Sequence, residues 1–219
     1  CRYDSNESNR SIADFIWEFN EFEITNELEQ KVLTLFKQTD SGLRLFTARA
    51  YASGASYLAG IDGYTLNEYL EGLMNFYLLK AQPVQPIVDN FGLVVVPASE
   101  IKDPWEERST AAIALKTIVP LIREDKENIV KMIKFLVEQG PLGDREPLVR
   151  QEMKEAGIEI ITEHGAANVE QLIPIFEESL KSGKEATVKE NVIILYGSLA
   201  RHLDSEDARI HAIISRLIS

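Results

Sequence analysis

Val149, Met153, Ala156, Ile160 and His164 are separated by 4, 3, 4 and 4 residues, and Val188, Val192, Leu195, Leu199 and Leu203 repeat that spacing. Residues three and four apart share one face of an α-helix, so each set is the buried stripe of an amphipathic helix. Each stripe carries a basic residue just after its first apolar position, Arg150 in one and Lys189 in the other. The same register fits Arg108, with Ala111, Ala114, Ile118 and Ile122. It fits Arg44, with Leu43, Thr47, Ala50, Gly54 and Leu58, and more weakly Arg10, with Ala13 and Ile16. Successive anchors lie 34, 64, 42 and 39 residues apart. A helical unit recurring near every 40 residues is the mark of a repeat protein.

A further helix precedes each stripe, near 26–37, 66–81, 126–138, 169–182 and 207–218. Thr25, Thr65, Asp125, Asn168 and Asp204 or Ser205 stand as their caps. A helix pair cannot bury its apolar face alone, and stacking such pairs is what builds a continuous core. The expected fold is therefore all-α. It is a right-handed α-α superhelix of the HEAT/armadillo kind, with about five helix pairs and residues 1–219 forming one solenoid segment. Gly165 reads as a helix stop, and Gly54 and Gly60 as marks of a tight helix crossing. Asn9 and Asn20 fall at core positions of the first unit and weaken it.

One interval is too long, and residues 82–103, QPVQPIVDNFGLVVVPASEIKD, account for it. Pro83, Pro86 and Pro97 exclude a helix there. FGLVVVP is apolar enough to predict a packed, extended spacer lying across neighbouring helices, rather than a partner-contacting loop. Asp103 is expected to cap the following helix, with Pro104 in its first turn.

The best unit is GDREPLVRQEMKEAGIEII. Asp144 and Arg150 stand six apart, as in the HEAT signature of a turn aspartate and a second-helix arginine. The aspartate is expected to accept turn amides and the guanidinium of a stacked neighbour, making a ladder between repeats. Arg108 is the same anchor one unit earlier, whereas Gln38 replaces the aspartate before Arg44. Pro174, inside QLIPIFEESL, predicts a bend in a first helix.

LYGSLARHLDSED places Ser198, His202 and Asp204 close together, but a nucleophilic triad needs distinct geometric roles rather than proximity in sequence. The expected role of His202 is packing against the next repeat. His164, His202 and His211 lack metal-site spacing. Glu106–Glu107 and Glu177–Glu178 read as solvated faces, and no Gly-rich phosphate loop is present. No catalytic residue, cofactor or metal is expected. The chain has 219 residues, 45% of them hydrophobic, which suffices for a sizeable core. One cysteine excludes an internal disulfide framework and suits a reducing compartment. The net charge of −12 opposes bulk attraction to nucleic acid and suits basic partners. Lys181, Lys184 and Lys189 form the clearest local basic patch, a candidate partner contact. A chain that starts at Cys1 and stops within HAIISRLIS reads as a fragment of a longer one.

FGLVVVPASEIKDPWEERSTAAIALKTIVP, GDREPLVRQEMKEAGIEIITEHG, LIPIFEESL and NVIILYGSLARHLDSEDARI together resemble the general control nonderepressible protein one family. KDPWEER and LYGSLARHLDSEDARI are its most specific parts. The resemblance runs from about residue 10 to the end. It implies a non-catalytic HEAT scaffold segment from the central region of a large, cytoplasmic, ribosome-associated translational activator. Such proteins lie along stalled or collided ribosomes and promote activation of the initiation factor two alpha kinase during amino-acid starvation. The implied partners are the ribosome (ribosomal proteins or rRNA) and, through other regions of the full chain, that kinase and an ABC-type ATPase. No membrane is implied. The alternative is a karyopherin-like HEAT adaptor for basic proteins, although Trp17 and Trp105 are isolated and read as packing anchors rather than a cargo ladder.

Overall fold

The computed structural model describes residues 6–19, 26–58, 66–122, 125–203 and 206–218. Among them are nine α-helices: α1 (Glu7–Phe19), α2 (Asn26–Thr34), α3 (Ser41–Leu58), α4 (Leu66–Ala81), α5 (Trp105–Ile118), α6 (Lys126–Glu138), α7 (Pro147–Lys181), α8 (Ala186–Ala200) and α9 (Ala208–Ile218). The architecture is an all-α solenoid, as the periodicity requires. Helices α3, α5, α7 and α8 pack in succession as one layer, while α4 and α6 cover α5 and α7 as a second. The core runs continuously between the layers. Ile118, Leu136, Val149, Ile160, Leu172, Leu195 and Leu199 are all fully buried within it. Helix α5 is buried nearly all round, which is why its apolar pattern is less striped than that of α6.

Local chemistry sets several helix ends. Asp125 caps α6 by accepting the Asn128 amide at 3.1 Å. Gly140 ends that helix at φ 101°, a left-handed conformation that favours glycine. Pro147 begins α7, where its missing amide costs nothing. Thr25, Thr65, Asp204 and Ser205, together with Asn20 and Gly60, lie outside the described residues.

Several expectations are corrected. Gly165 does not stop a helix and Asn168 does not cap one: α7 is a single helix of 35 residues. The Asn168 amide instead donates back to the His164 carbonyl at 2.8 Å. Gly165 is needed for close approach, since a β-carbon there would meet His202 Cδ2 and Ile161 Cγ2 at 3.1 Å and Leu199 Cδ1 at 3.3 Å. Pro174 consequently sits in mid-helix rather than in a separate first helix, with its ring on the exposed face. The carbonyl that it leaves without an intrahelical donor, at Glu170, is also on a wet face, so α7 tolerates it.

In the Arg44 unit, Leu43 is 51% exposed and the buried stripe runs through Arg44, Thr47, Ala48, Tyr51, Ala52 and Ala55. It is shifted because Tyr51 and Tyr69 lock α3 to α4, each hydroxyl donating to the other's carbonyl, at 3.3 and 2.9 Å. Asn9 is exposed rather than in the core. Asp103 does not cap α5: Pro104 occupies the cap position, outside the first turn, and the Asp103 carboxylate is committed elsewhere.

The last of these corrections concerns the insertion. Residues 82–103 do not pack as an extended spacer. They form a β-hairpin of β1 (Ile87–Val88) and β2 (Val94–Val96), antiparallel with Ile87 opposite Val96 and Val88 opposite Val94. The Asp89 carboxylate shapes its turn by accepting the Phe91 and Leu93 amides at 2.8 and 2.9 Å. Gly92 takes φ 81°. Ile87, Val88, Phe91, Leu93, Val94 and Val95 are each more than half exposed, Phe91 at 90%. Two strands carry too little apolar surface to bury one another, and among the described residues no helix covers the hairpin's exposed side chains.

Candidate functional site

The site is a buried charge network at the base of that exposed hairpin. Arg108, on α5, is fully buried. Its guanidinium donates to both oxygens of Asp103 at 2.8 and 2.9 Å, and to both oxygens of Asp144 at 2.8 and 2.9 Å. A fifth hydrogen bond goes to the Lys80 carbonyl at 3.2 Å. Asp144 lies in the turn before α7 and therefore joins one unit to the next. It also accepts the Tyr77 hydroxyl at 2.6 Å and the Glu146 amide at 2.8 Å. Two carboxylates and one backbone carbonyl around one planar cation satisfy all five of its donors, which is the condition under which a buried charge is tolerated.

Arg145 completes the clamp from outside. It pairs with Asp103 and donates to the Ala81 carbonyl at 2.7 Å and the Gln82 carbonyl at 3.3 Å. Ala81 ends the helix that enters the insertion, and Asp103 is where the insertion leaves. One pair of arginines thus ties both feet of the hairpin to α5 and α7.

The titration of these groups follows. Hydrogen bonds from Arg108 hold Asp103 down to about 2, against partial burial that opposes them. Burial works against the charge on Arg108, but hydrogen bonds from Asp103 and Asp144 more than offset it and raise its pKa above the ordinary arginine range. Burial first, then the bond to Asp144, keeps the Tyr77 hydroxyl protonated far above its usual range.

The other singled-out residues fall as follows. Arg150 does not reach the Asp144 carboxylate; it donates to the Asp144 backbone carbonyl. Arg44 uses its terminal nitrogen in the same way, on the carbonyls of Thr39 at 2.7 Å and Gln38 at 3.4 Å. Lys181 is exposed at the end of α7, and Lys189 is half-buried on α8. Lys184 is used internally, donating to the Val137 carbonyl, and burial lowers its pKa. Ser198 donates back to the Ile194 carbonyl at 3.1 Å, and His202 lies past the end of α8 with its ring against Gly165. His202 thus packs on the preceding unit, through Gly165 of α7. Glu106 is buried and paired with Lys102, and Glu107 pairs with Lys80 at 2.5 Å, so neither belongs to a solvated face. Trp105 is half-buried beneath the Arg44 guanidinium, 5.1 Å from the ring centre; the side chain of Trp17 lies outside the described ones.

Sequence reasoning missed Arg145 and Tyr77 and gave Asp103 a capping role in place of its pairing with Arg108. The available signal was the KDP stretch immediately before α5, where an aspartate five residues before a buried arginine can meet its guanidinium. Among the described residues no group of His, Cys, Asp or Glu is placed to hold a metal ion, and no helix is long and apolar enough to cross a membrane.

Stacked helix pairs joined by an aspartate–arginine ladder define a HEAT-repeat solenoid segment. A family model described as "Stalled ribosome sensor GCN1, HEAT repeats" matches residues 1–201. The chain belongs to that family. Over its full length it is 58% identical to the eIF-2-alpha kinase activator GCN1 of Saccharomyces cerevisiae. It is 28% identical, again over its full length, to the stalled ribosome sensor GCN1 of Homo sapiens. Over 52% of its length it is 35% identical to the protein ILITYHIA of Arabidopsis thaliana. The chain spans only 8% of the length of the yeast and human relatives. No solved structure matches it significantly.

Proposed function

We propose that this chain is a non-catalytic scaffold segment of a ribosome-associated activator of the initiation factor two alpha kinase, acting in the cytoplasm on stalled or collided ribosomes. The observation that supports this most is the identity sustained across all 219 residues to a yeast kinase activator. The kinase and an ABC-type ATPase are engaged through other regions of the full chain. Within this segment the contact element is the hairpin. Its six exposed apolar side chains are held on a base of two arginines and two aspartates, so they are displayed with little freedom to lose on binding. No Lys or Arg occurs from residue 82 to 101, so the hairpin suits a protein surface rather than rRNA phosphate. Lys181 and Lys189 offer a second, electrostatic contact.

Co-sedimentation of the chain with ribosomes over a salt series, with and without induced collisions, tests this reading. The expected result is binding that survives moderate salt and is lost in a Phe91→Ser, Leu93→Ser, Val95→Ser variant. Binding that this variant retains but a Lys181→Ala, Lys189→Ala variant loses would move the contact to the lysines. Absence of binding would make the segment a spacer between the true contact regions. The net charge of −12 supports the adaptor alternative for basic proteins, which predicts capture of basic localisation peptides.

A further inference from the structure

Phe91 is 90% exposed, more than any other large apolar side chain among the described residues. It stands at the tip of the hairpin and is held there. Gly92 takes φ 81° directly after it. The Gly92 amide donates to the Asp89 carbonyl at 3.1 Å, and the Asp89 amide donates to the Leu93 carbonyl at 2.9 Å. Arg145 ties the feet, through the Ala81 and Gln82 carbonyls on one side and the Asp103 carboxylate on the other. The ring is thus presented on a finger fixed at tip and base, with little freedom left to lose when it is enclosed.

The finger is built against strand addition. Its strands have two and three residues, with Pro86 before the first and Pro97 after the second. Val95 is the extra residue of a bulge, since Ile87 lies opposite Val96 and Val88 opposite Val94. Short strands, prolines and a bulge are devices that keep a sheet edge from pairing with another chain. What the hairpin offers is therefore side chains rather than backbone. Charge then narrows the partner. Residues 82–101 carry two acids, Asp89 and Glu100, and no Lys or Arg. The cations at the feet are already paired: Lys80 with Glu107, Lys102 with Glu106 and Arg145 with Asp103. A second copy of a chain of net charge −12, nucleic-acid phosphate and an anionic membrane are all repelled by such a finger.

We propose that Phe91 is a knob that enters an apolar pocket on a partner protein, and that the rim of this pocket carries Lys or Arg. The proposal rests on the reading of the hairpin as the ribosome contact of this segment, and it narrows the partner to a basic protein with a concave apolar site. Asp89, two residues before the knob, supplies the charge that the rim answers. An enclosed aromatic side chain buries roughly 150–250 Å², and such anchors carry most of the energy of an interface.

Purified ribosomes, collided and not, are the probe, with the affinity of the chain measured over a salt series. Phe91→Ala should weaken binding by at least about tenfold, while Phe91→Leu, which keeps an apolar knob, should lose less than about threefold. Asp89→Asn keeps an oxygen for the turn amides but removes the charge, so it should flatten the salt dependence with little loss at high salt. With p-benzoylphenylalanine in place of Phe91, irradiation should join the chain to one ribosomal protein. The side chain is too exposed to matter much for folding, so these variants remain testable. Ribosome binding that Phe91→Ala leaves within about threefold of the parent overturns the knob but not the ribosome reading. A crosslink to rRNA or to a second copy of the chain, or no crosslink from a chain that binds, overturns it as well. An unchanged salt dependence in Asp89→Asn overturns the basic rim. A parent chain that binds neither ribosome preparation overturns the knob and the ribosome contact together.

Discussion

Arg108→Met is the substitution that tests the charge network most directly. The arginine is fully buried and donates four hydrogen bonds to two carboxylates and one to the Lys80 carbonyl. Removing one partner of a buried ion pair costs about 3–5 kcal/mol, because the remaining charge is left uncompensated. Here the low end applies. Asp103 retains Arg145 and partial access to water, and Asp144 retains Tyr77 and the Glu146 amide. A loss of about 3 kcal/mol corresponds to a fall in Tm of about 6–12 °C for a chain of this size. Thermal unfolding followed by circular dichroism, with urea titration for the free energy, measures it. The double variant Arg108→Met, Asp144→Asn sharpens the test. Once the cation is gone, neutralising the stranded carboxylate should recover part of the loss, so the two effects should be strongly non-additive. A loss below about 1 kcal/mol for Arg108→Met, or simple additivity in the cycle, would refute the view that this network is a single buried unit.

Three further outcomes are expected. Arg145→Met, at a half-exposed side chain, should cost no more than about 1 kcal/mol globally yet raise amide hydrogen exchange selectively in residues 82–102, read by mass spectrometry. Asp103 titrates near 2 when folded, so its contribution is present above about pH 4 and lost as pH falls towards 2; the stability gap between wild type and Asp103→Asn should therefore close over that range, by about 1–2 kcal/mol after allowance for partial exposure. Gly54→Val should lower stability by about 1–3 kcal/mol, because a β-carbon there would meet the Tyr69 hydroxyl at 2.7 Å and displace it from the Tyr51 carbonyl; an unchanged urea midpoint would show that α3 and α4 part easily.

Much of the fold was legible because helix periodicity and capping are local. The reading of 66–81 and 126–138 coincides with α4 and α6, and Asp125 caps as its residue type suggests. Gly165 misled for a reason that is not local. Glycine after an apolar stripe ends a helix when it takes a left-handed conformation, as Gly140 does; the same residue continues a helix when a neighbouring chain needs the space, as Leu199 and His202 do at Gly165. The hairpin misled in the opposite direction. Its apolar composition argued for burial, but composition carries no information on whether a neighbouring surface is there to receive it.

The sequence alone determined the repeat period, the second-helix stripes and the placing of Arg108 and Asp144 at repeat junctions, since these depend on residues within a few turns of one another. Only the tertiary structure decided what those charges meet. Asp144 reaches Arg108 across 36 positions, and Arg145 reaches Asp103 across 42. Such partners are brought together by the apolar stacking of units, which fixes distances that no local pattern encodes, and the low-polarity surroundings then decide which charges are paired, which are exposed and which give up a proton.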